Sequence, residues 1–151
     1  MQNFTAHLHE EAGTLALGAS LARALQPGLT IYLHGDLGAG KTALTRAMLH
    51  ALGHTGHVKS PTYTLAEPYT VTIGDASVQV IHFDLYRMAS AEEFLDAGFR
   101  EYFNQQTICI IEWPEKAETV LPPPDISISL AVAGEGLSLI HISEPTRLRR
   151  I

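Results

Sequence analysis

The sequence predicts an α/β fold: a mainly parallel sheet flanked by helices, with an antiparallel strand insertion. Three observations predict it. "LTIYLH" (29–34) and "TICIIEW" (107–113) are short apolar, β-branched runs of the kind buried on both faces of a parallel sheet. Segments with helical spacing alternate with strand-like ones along the chain. Between the first apolar run and the helix after it stands Gly35-Asp36-Leu37-Gly38-Ala39-Gly40-Lys41-Thr42. That is the G-x-x-x-x-G-K-T pattern of a phosphate-binding loop, so the expected fold is P-loop NTPase-like.

The elements follow in order. A helix is expected over 10–25, with Leu15, Leu21, Ala22 and Leu25 as its apolar stripe and Gln26-Pro27-Gly28 as its stop. The first strand and the glycine loop come next, then a helix over 41–52 closed by Gly53. Pro61 and Pro68 disfavour helix and begin an extended region. "VTIGDASVQVIHFDLYR" reads as two strands around a Gly74-Asp75 turn. Ser90 and Glu93 are spaced as a capping box, which starts a helix near Ala91. Gly98 interrupts that helix, and "FREYF" continues as a helical turn. "PEKAET" after the second apolar strand suits one or two turns, and Pro122 to Pro124 form a stiff connector. "DISISLAV" then alternates, with Ile126, Ile128, Leu130 and Val132 on one face.

Bulk composition narrows the function classes. A chain of 151 residues, 46% hydrophobic and 17% charged, suits one soluble domain with its own core. No apolar run has the length of a membrane span, and Met1 to Thr5 lack the basic-then-apolar order of a signal peptide. Cys109 is the single cysteine and lies in an apolar run, which reads as a small buried thiol in a cytoplasmic protein. The net charge of −6 argues against gripping nucleic acid unaided, because such proteins usually show a basic face. RNA is expected to be reached through a partner.

The glycine loop carries the chemistry. Gly35, Gly38 and Gly40 let successive backbone N–H groups turn inward, and the positive end of the next helix adds to them. Lys41 supplies a full charge for the outer phosphates, and Thr42 a hydroxyl for magnesium. A hydrolase also needs a carboxylate at the C-terminal end of a nearby strand. Glu112 ends "TICIIE" and Asp84 ends "VQVIHFD", so both are candidates. Glu112 has the cleaner context for magnesium, and Asp84 suits a second carboxylate or the group that orients water. Thr62 in Ser60-Pro61-Thr62 is a candidate switch residue able to close on the γ-phosphate, as well as an ordinary strand start. His50, His54 and His57 read as a solvated surface rather than a metal site, and His34 and His82 as hydrogen-bonded strand-end residues. Tyr63, Tyr69 and Tyr86 fit partner contact and half-buried strand positions equally well.

"GDLGAGKT", "VKSPTYTLAEPY", "HFDLYR" and "IEWPEKA", in this order and spacing, resemble the bacterial TsaE (YjeE) family over about residues 3–133. The resemblance implies a small P-loop ATPase of tRNA threonylcarbamoyladenosine synthesis. ATP and magnesium would bind at Gly38, Ala39, Gly40, Lys41, Thr42 and Ala43, with Thr42 and Glu112 on the magnesium side. Thr62 matches the switch-like position and Asp84 an acid needed for activity. Trp113 and Pro114 match a functional surface beside the nucleotide, and Glu11 a border of the adenine. The partners implied are the TsaB–TsaD heterodimer, whose TsaD transfers the threonylcarbamoyl group to an adenosine beside the tRNA anticodon. Hydrolysis would reset that complex between turnovers. The rival readings are a small-molecule kinase of P-loop type, a regulatory GTPase and a non-catalytic nucleotide-binding module. Against them stand, respectively, the lack of an arginine-bearing lid, the lack of an N-K-x-D segment, and the intact Lys41, Thr42 and Glu112.

The domain is expected to end near Gly136. Leu137 to Arg147 reads as the in-frame translation of a transposon-end adapter used in sequencing libraries, and Leu148 to Ile151 fit its continuation. Residues 1–136 are therefore expected to be a C-terminally truncated P-loop ATPase domain, and 137–151 to be non-native. Any strand formed over 139–142 stands in for a lost one, and Arg147, Arg149 and Arg150 are not an RNA-binding tail.

Overall fold

The computed structural model of the chain describes residues 2–8, 11–36, 40–61, 63–132 and 138–144. Its elements are β1 (Gln2–Leu8), α1 (Glu11–Ala22), β2 (Thr30–His34), α2 (Lys41–Ala51), β3 (Ala66–Ile73), β4 (Ala76–Asp84), α3 (Ala91–Asp96), β5 (Thr107–Glu112), β6 (Ile126–Val132) and β7 (Ser138–Glu144). Short 3-10 turns cover Phe99–Tyr102 and Pro114–Ala117.

Among the described residues, seven strands form one sheet in the order β1-β7-β6-β2-β5-β4-β3. The four strands at its centre, β6, β2, β5 and β4, run parallel. Both edges are antiparallel: β3 folds back on β4, and β7 pairs with β6 and β1. The expected insertion is thus half an insertion, because β4 belongs to the parallel centre and only β3 departs from it. Gly74, with φ 63°, makes the tight turn between them.

The period of the strands sorts the core into two layers. Val80, Ile108, Ile110, Ile31, Leu33 and Ile128 face α2, where they meet Leu44, Met48 and Leu49. Ile81, Phe83, Cys109 and Ile111 face the other way, against Phe94, Met88 and Ala117, with Phe99, Tyr102 and Phe103 at the margin. Every residue of β5 is buried, as a strand flanked on both edges and covered on both faces must be. Asp125 seats the start of β6. The Thr30 N–H donates to its carboxylate and its own N–H donates to the Thr30 carbonyl, each at 2.8 Å.

Three sequence expectations change. The stripe of α1 is Leu17, Leu21 and Ala22 with the following Leu25, while Leu15 is 51% exposed. The helix turns that face inward to meet α2, and Gly18 sits at the crossing: a Cβ there would lie 2.4 Å from the Cβ of Ala47. The box at Ser90 is also displaced. Ser90 makes no capping bond, and Glu93 accepts instead from the Ala89 N–H at 3.2 Å. The third change is β1, a strand ahead of the first expected helix, held by backbone pairing to β7.

Candidate functional site

The site lies where the parallel strands end and α2 begins. Gly40 caps α2 with φ 101°, a left-handed conformation natural to glycine, and its carbonyl accepts the first helical bond from Leu44 at 3.0 Å. The corner turns the chain sharply from β2 into the helix. Lys41 and Thr42 therefore stand in the first turn, over the ends of β4 and β5.

The sheet register brings the two carboxylates together. Asp84 and Glu112 are direct partners across β4 and β5, and Glu112 is also opposite Leu33 of β2. Both face the α2 side, as the even-numbered Val80 and Ile110 before them do. Glu112 is 3% exposed and its Oε2 accepts from two donors: the Thr42 hydroxyl at 3.1 Å and His82 Nε2 at 2.6 Å. Asp84 is turned differently, its Oδ1 accepting from the Tyr86 N–H at 3.1 Å. Burial holds the Asp84 carboxyl above the ordinary aspartate range; the Tyr86 N–H opposes this and the charge of Glu112 adds to it.

Lys41 is 5% exposed. Its Nζ donates to the Gly35 carbonyl and sits 3.9 Å from the centroid of the Trp113 ring. Burial pulls its ammonium below the ordinary lysine range, while the carboxylates of Glu112, Asp84, Glu115 and Asp36 act the other way. Trp113 follows β5 with φ 59°, left-handed for a bulky residue, which turns the indole back over Lys41. Pro114 is buried and starts the turn behind it. Tyr86 packs on Trp113 at 5.0 Å between ring centroids and is partly exposed, whereas Tyr63, 82% exposed, carries the Arg87 guanidinium over its ring.

The sequence candidates fall as follows. Lys41, Thr42, Asp84 and Glu112 converge, with Gly40 at the corner and Ala43 next in α2. Gly38, Ala39 and Thr62 lie outside the described residues, as does the side chain of Glu11, the first residue of α1. The neighbours of position 62 are tied to the site: the Leu65 N–H donates to the Pro61 carbonyl, and the Asp84 N–H to that of Leu65. His50 and His54 lie near backbone carbonyls on the surface, and among the described residues no group of three or more His, Cys, Asp or Glu converges as a metal cluster. Tyr69 is buried and hydrogen-bonded to the backbone of Lys59. His82 is the hydrogen-bonded strand-end histidine that the sequence suggests, and its partner is Glu112, on which it is fully buried. The available signal was its place two residues before Asp84, hence on the same face of β4. A cavity of about 440 Å3 at the opposite, N-terminal end of the strands includes Asp125, already committed to Thr30.

A parallel sheet that delivers a carboxylate to the first turn behind a Gly-Lys-Thr corner is P-loop NTPase-like architecture, and the molecule belongs to that fold class. Comparison with known proteins narrows this. The family described as "Threonylcarbamoyl adenosine biosynthesis protein TsaE" matches residues 8–137. A tRNA threonylcarbamoyladenosine biosynthesis protein TsaE from Haemophilus influenzae is 45% identical over 135 residues, covering 86% of this chain and 83% of that protein. One from Bacillus subtilis is 38% identical over 122 residues, covering 81% and 73%. The crystal structure of Bacillus subtilis YdiB superposes with a TM-score of 0.77 at 29% identity, covering 95% of this chain and 86% of that one. The chain belongs to the TsaE family. Among the described residues no helix is long and apolar enough to cross a membrane.

Proposed function

We propose that the chain is a magnesium-dependent ATPase of the cytoplasm. It supports threonylcarbamoyl transfer to the tRNA adenosine beside the anticodon, acting on the TsaB–TsaD heterodimer and reaching tRNA only through that complex. One observation carries the reading. The Thr42 hydroxyl and the Glu112 carboxylate are 3.1 Å apart, with buried Lys41 on the same helical turn and Asp84 on the next strand. The donor set fits the cation. Magnesium favours hard oxygen ligands and usually takes only one or two from protein, with phosphates and water supplying the rest. One hydroxyl beside one carboxylate meets that need without the acidic cluster that a protein-only cage would require.

Each residue then has a task. Lys41 neutralises charge on the outer phosphates, and Gly40 opens the backbone toward them. Thr42 and Glu112 hold the cation, which when bound spreads the charge that develops on the transferred phosphoryl group. Asp84 is kept nearer to protonation by burial and is suited to orienting the attacking water. The net charge of −6 favours a division of labour in which the partners hold the RNA.

The test is phosphate release from ATP and from GTP, with and without TsaB–TsaD. Expected are weak turnover of ATP by the chain alone, clear stimulation by the partners, and little turnover of GTP. Full-rate hydrolysis unchanged by the partners sinks the partner-dependent role, and a preference for GTP sinks the ATPase assignment.

A further inference from the structure

His82 is a buried member of the cluster for which the proposed chemistry has no task. Its ring is wholly buried, and Nε2 lies 2.6 Å from Glu112 Oε2. The opposite nitrogen, Nδ1, is buried without a hydrogen-bond partner among the described residues. Val78 and Val80 occupy the same face of β4, and another aliphatic side chain at 82 would bury apolar surface without leaving a polar atom unpaired. The return on burying an imidazole here is its bond to Glu112.

The geometry also states which nitrogen carries the proton. A bare Nε2 lone pair facing a carboxylate oxygen at this distance would be repelled, so Nε2 is the donor in this bond. Oε2 of Glu112 then receives His82 on one side and the Thr42 hydroxyl, at 3.1 Å, on the other. Two donors on one oxygen fix the plane of the carboxylate, and with it the direction of Oε1. A glutamate at a strand end otherwise has a broad terminal torsion and would lose that freedom whenever a cation arrived.

We propose that His82 is a positioning residue for Glu112: its Nε2–H holds the carboxylate in the orientation that, together with Thr42, receives a divalent cation. The inference rests on the nucleotide reading above. Side chains that orient a metal ligand from behind act on metal affinity, and their loss typically costs about 10–100-fold in that quantity. ATP binding without magnesium depends on the glycine corner and Lys41, which His82 does not touch.

Three variants separate these effects. His82→Gln keeps an N–H donor near the place of Nε2. His82→Asn keeps an amide but falls short of Glu112. His82→Leu keeps the bulk and loses the donor. ATP affinity is measured in EDTA and across a magnesium titration, with thermal melting as the check on folding. Expected for His82→Leu and His82→Asn is a rise of about 10-fold or more in the magnesium needed for half-maximal tightening, with affinity in EDTA unchanged. His82→Gln recovers most of the loss. Should His82→Leu fail to fold, the Gln and Asn pair still decides, since both are polar amides and differ in reach. A magnesium requirement unchanged in the Asn variant, or shifted alike in Asn and Gln, overturns the proposal. Nitrogen-15 NMR of the nucleotide-free wild type gives a readout independent of ATP: a proton on Nε2 is expected, and a proton on Nδ1 alone overturns the tie. Wild-type ATP affinity that ignores magnesium condemns the nucleotide reading itself, a result distinct from a variant that behaves as a responsive wild type does.

Discussion

Lys41, Thr42, Asp84 and Glu112 sit within one small volume but depend on different things, and substitutions should separate them. Lys41→Ala removes the buried cation and is expected to abolish productive ATP binding. Thr42→Ala removes the hydroxyl that reaches Glu112, with a methyl group, and leaves the charge of Lys41 in place, so it should spare ATP binding in EDTA and lose most of the magnesium enhancement. Isothermal titration with and without magnesium distinguishes the two, and wild-type magnesium-ATP binding by Thr42→Ala refutes its assignment. Glu112→Ala and Asp84→Ala should fold yet lose hydrolysis in the assembled complex by at least ~100-fold, the scale of a positioned acid–base or metal-holding group. These four residues were legible because each is marked by its local sequence: two inside a glycine corner, two ending apolar strands. The tie of His82 to Glu112 was not: nothing near His82 in the chain says that the adjacent strand ends in a buried glutamate, nor that the Trp113 backbone turns left-handed and lays its ring over Lys41.

Helix α1 shows where element-level reading succeeds and where it stops. Helical spacing located the helix, but Leu15 is exposed and the true inward face is set by where α2 crosses it. The crossing is close because Gly18 has no side chain. A Cβ at 18 would approach the Ala47 Cβ to 2.4 Å and the Ala47 and Met48 backbone to about 3 Å. Gly18→Ala gains helix propensity, worth about 1 kcal/mol at an exposed site. Overpacking, typically about 1–3 kcal/mol, opposes it. The clash involves backbone as well as a methyl group, so overpacking should win. Urea unfolding is expected to show net destabilisation, and Ala47→Gly in the same chain should return part of it by removing one of the clashing atoms. Stabilisation by Gly18→Ala alone would mean that the helices separate freely. The displaced cap at α3 makes the same point more gently: the spacing of Ser90 and Glu93 marked a true helix start, while the bonds actually made depend on how the preceding chain arrives.

At the scale of the whole molecule, protons held by the core couple stability to alkaline pH. Burial pushes the Cys109 thiol from 9.0 up to about 12, and burial with the nearby charge of Glu118 pushes the Tyr32 hydroxyl from 10.0 up to about 12. The folded chain keeps these protons where the unfolded chain releases them. Their contribution is complete below pH 9 and is lost as pH rises toward 12. Urea midpoints should therefore decline above pH 9, and Cys109→Ala, though less stable throughout, should decline less steeply. The sheet as a whole carries the last expectation. Strand β7 lies between β1 and β6, antiparallel to both, and Ile142 packs on the main core. Its residues nonetheless belong to the segment that reads as translated adapter. We propose that β7 is a substitute: "SLIHISE" alternates well enough to occupy a place between two strands that the native continuation would fill. A sheet interior selects for period and apolar content more than for identity, so a borrowed strand can pair, but its packing was never refined for the site. Genomic DNA read across the Gly136 codon should diverge from the codons for Leu137 to Ile151. A chain carrying the native continuation should unfold at higher urea than this one, and a chain ending at Gly136, with the edge of β6 bared, at lower. Recovery of the same codons from unamplified DNA would make β7 native and remove the reason to expect that order.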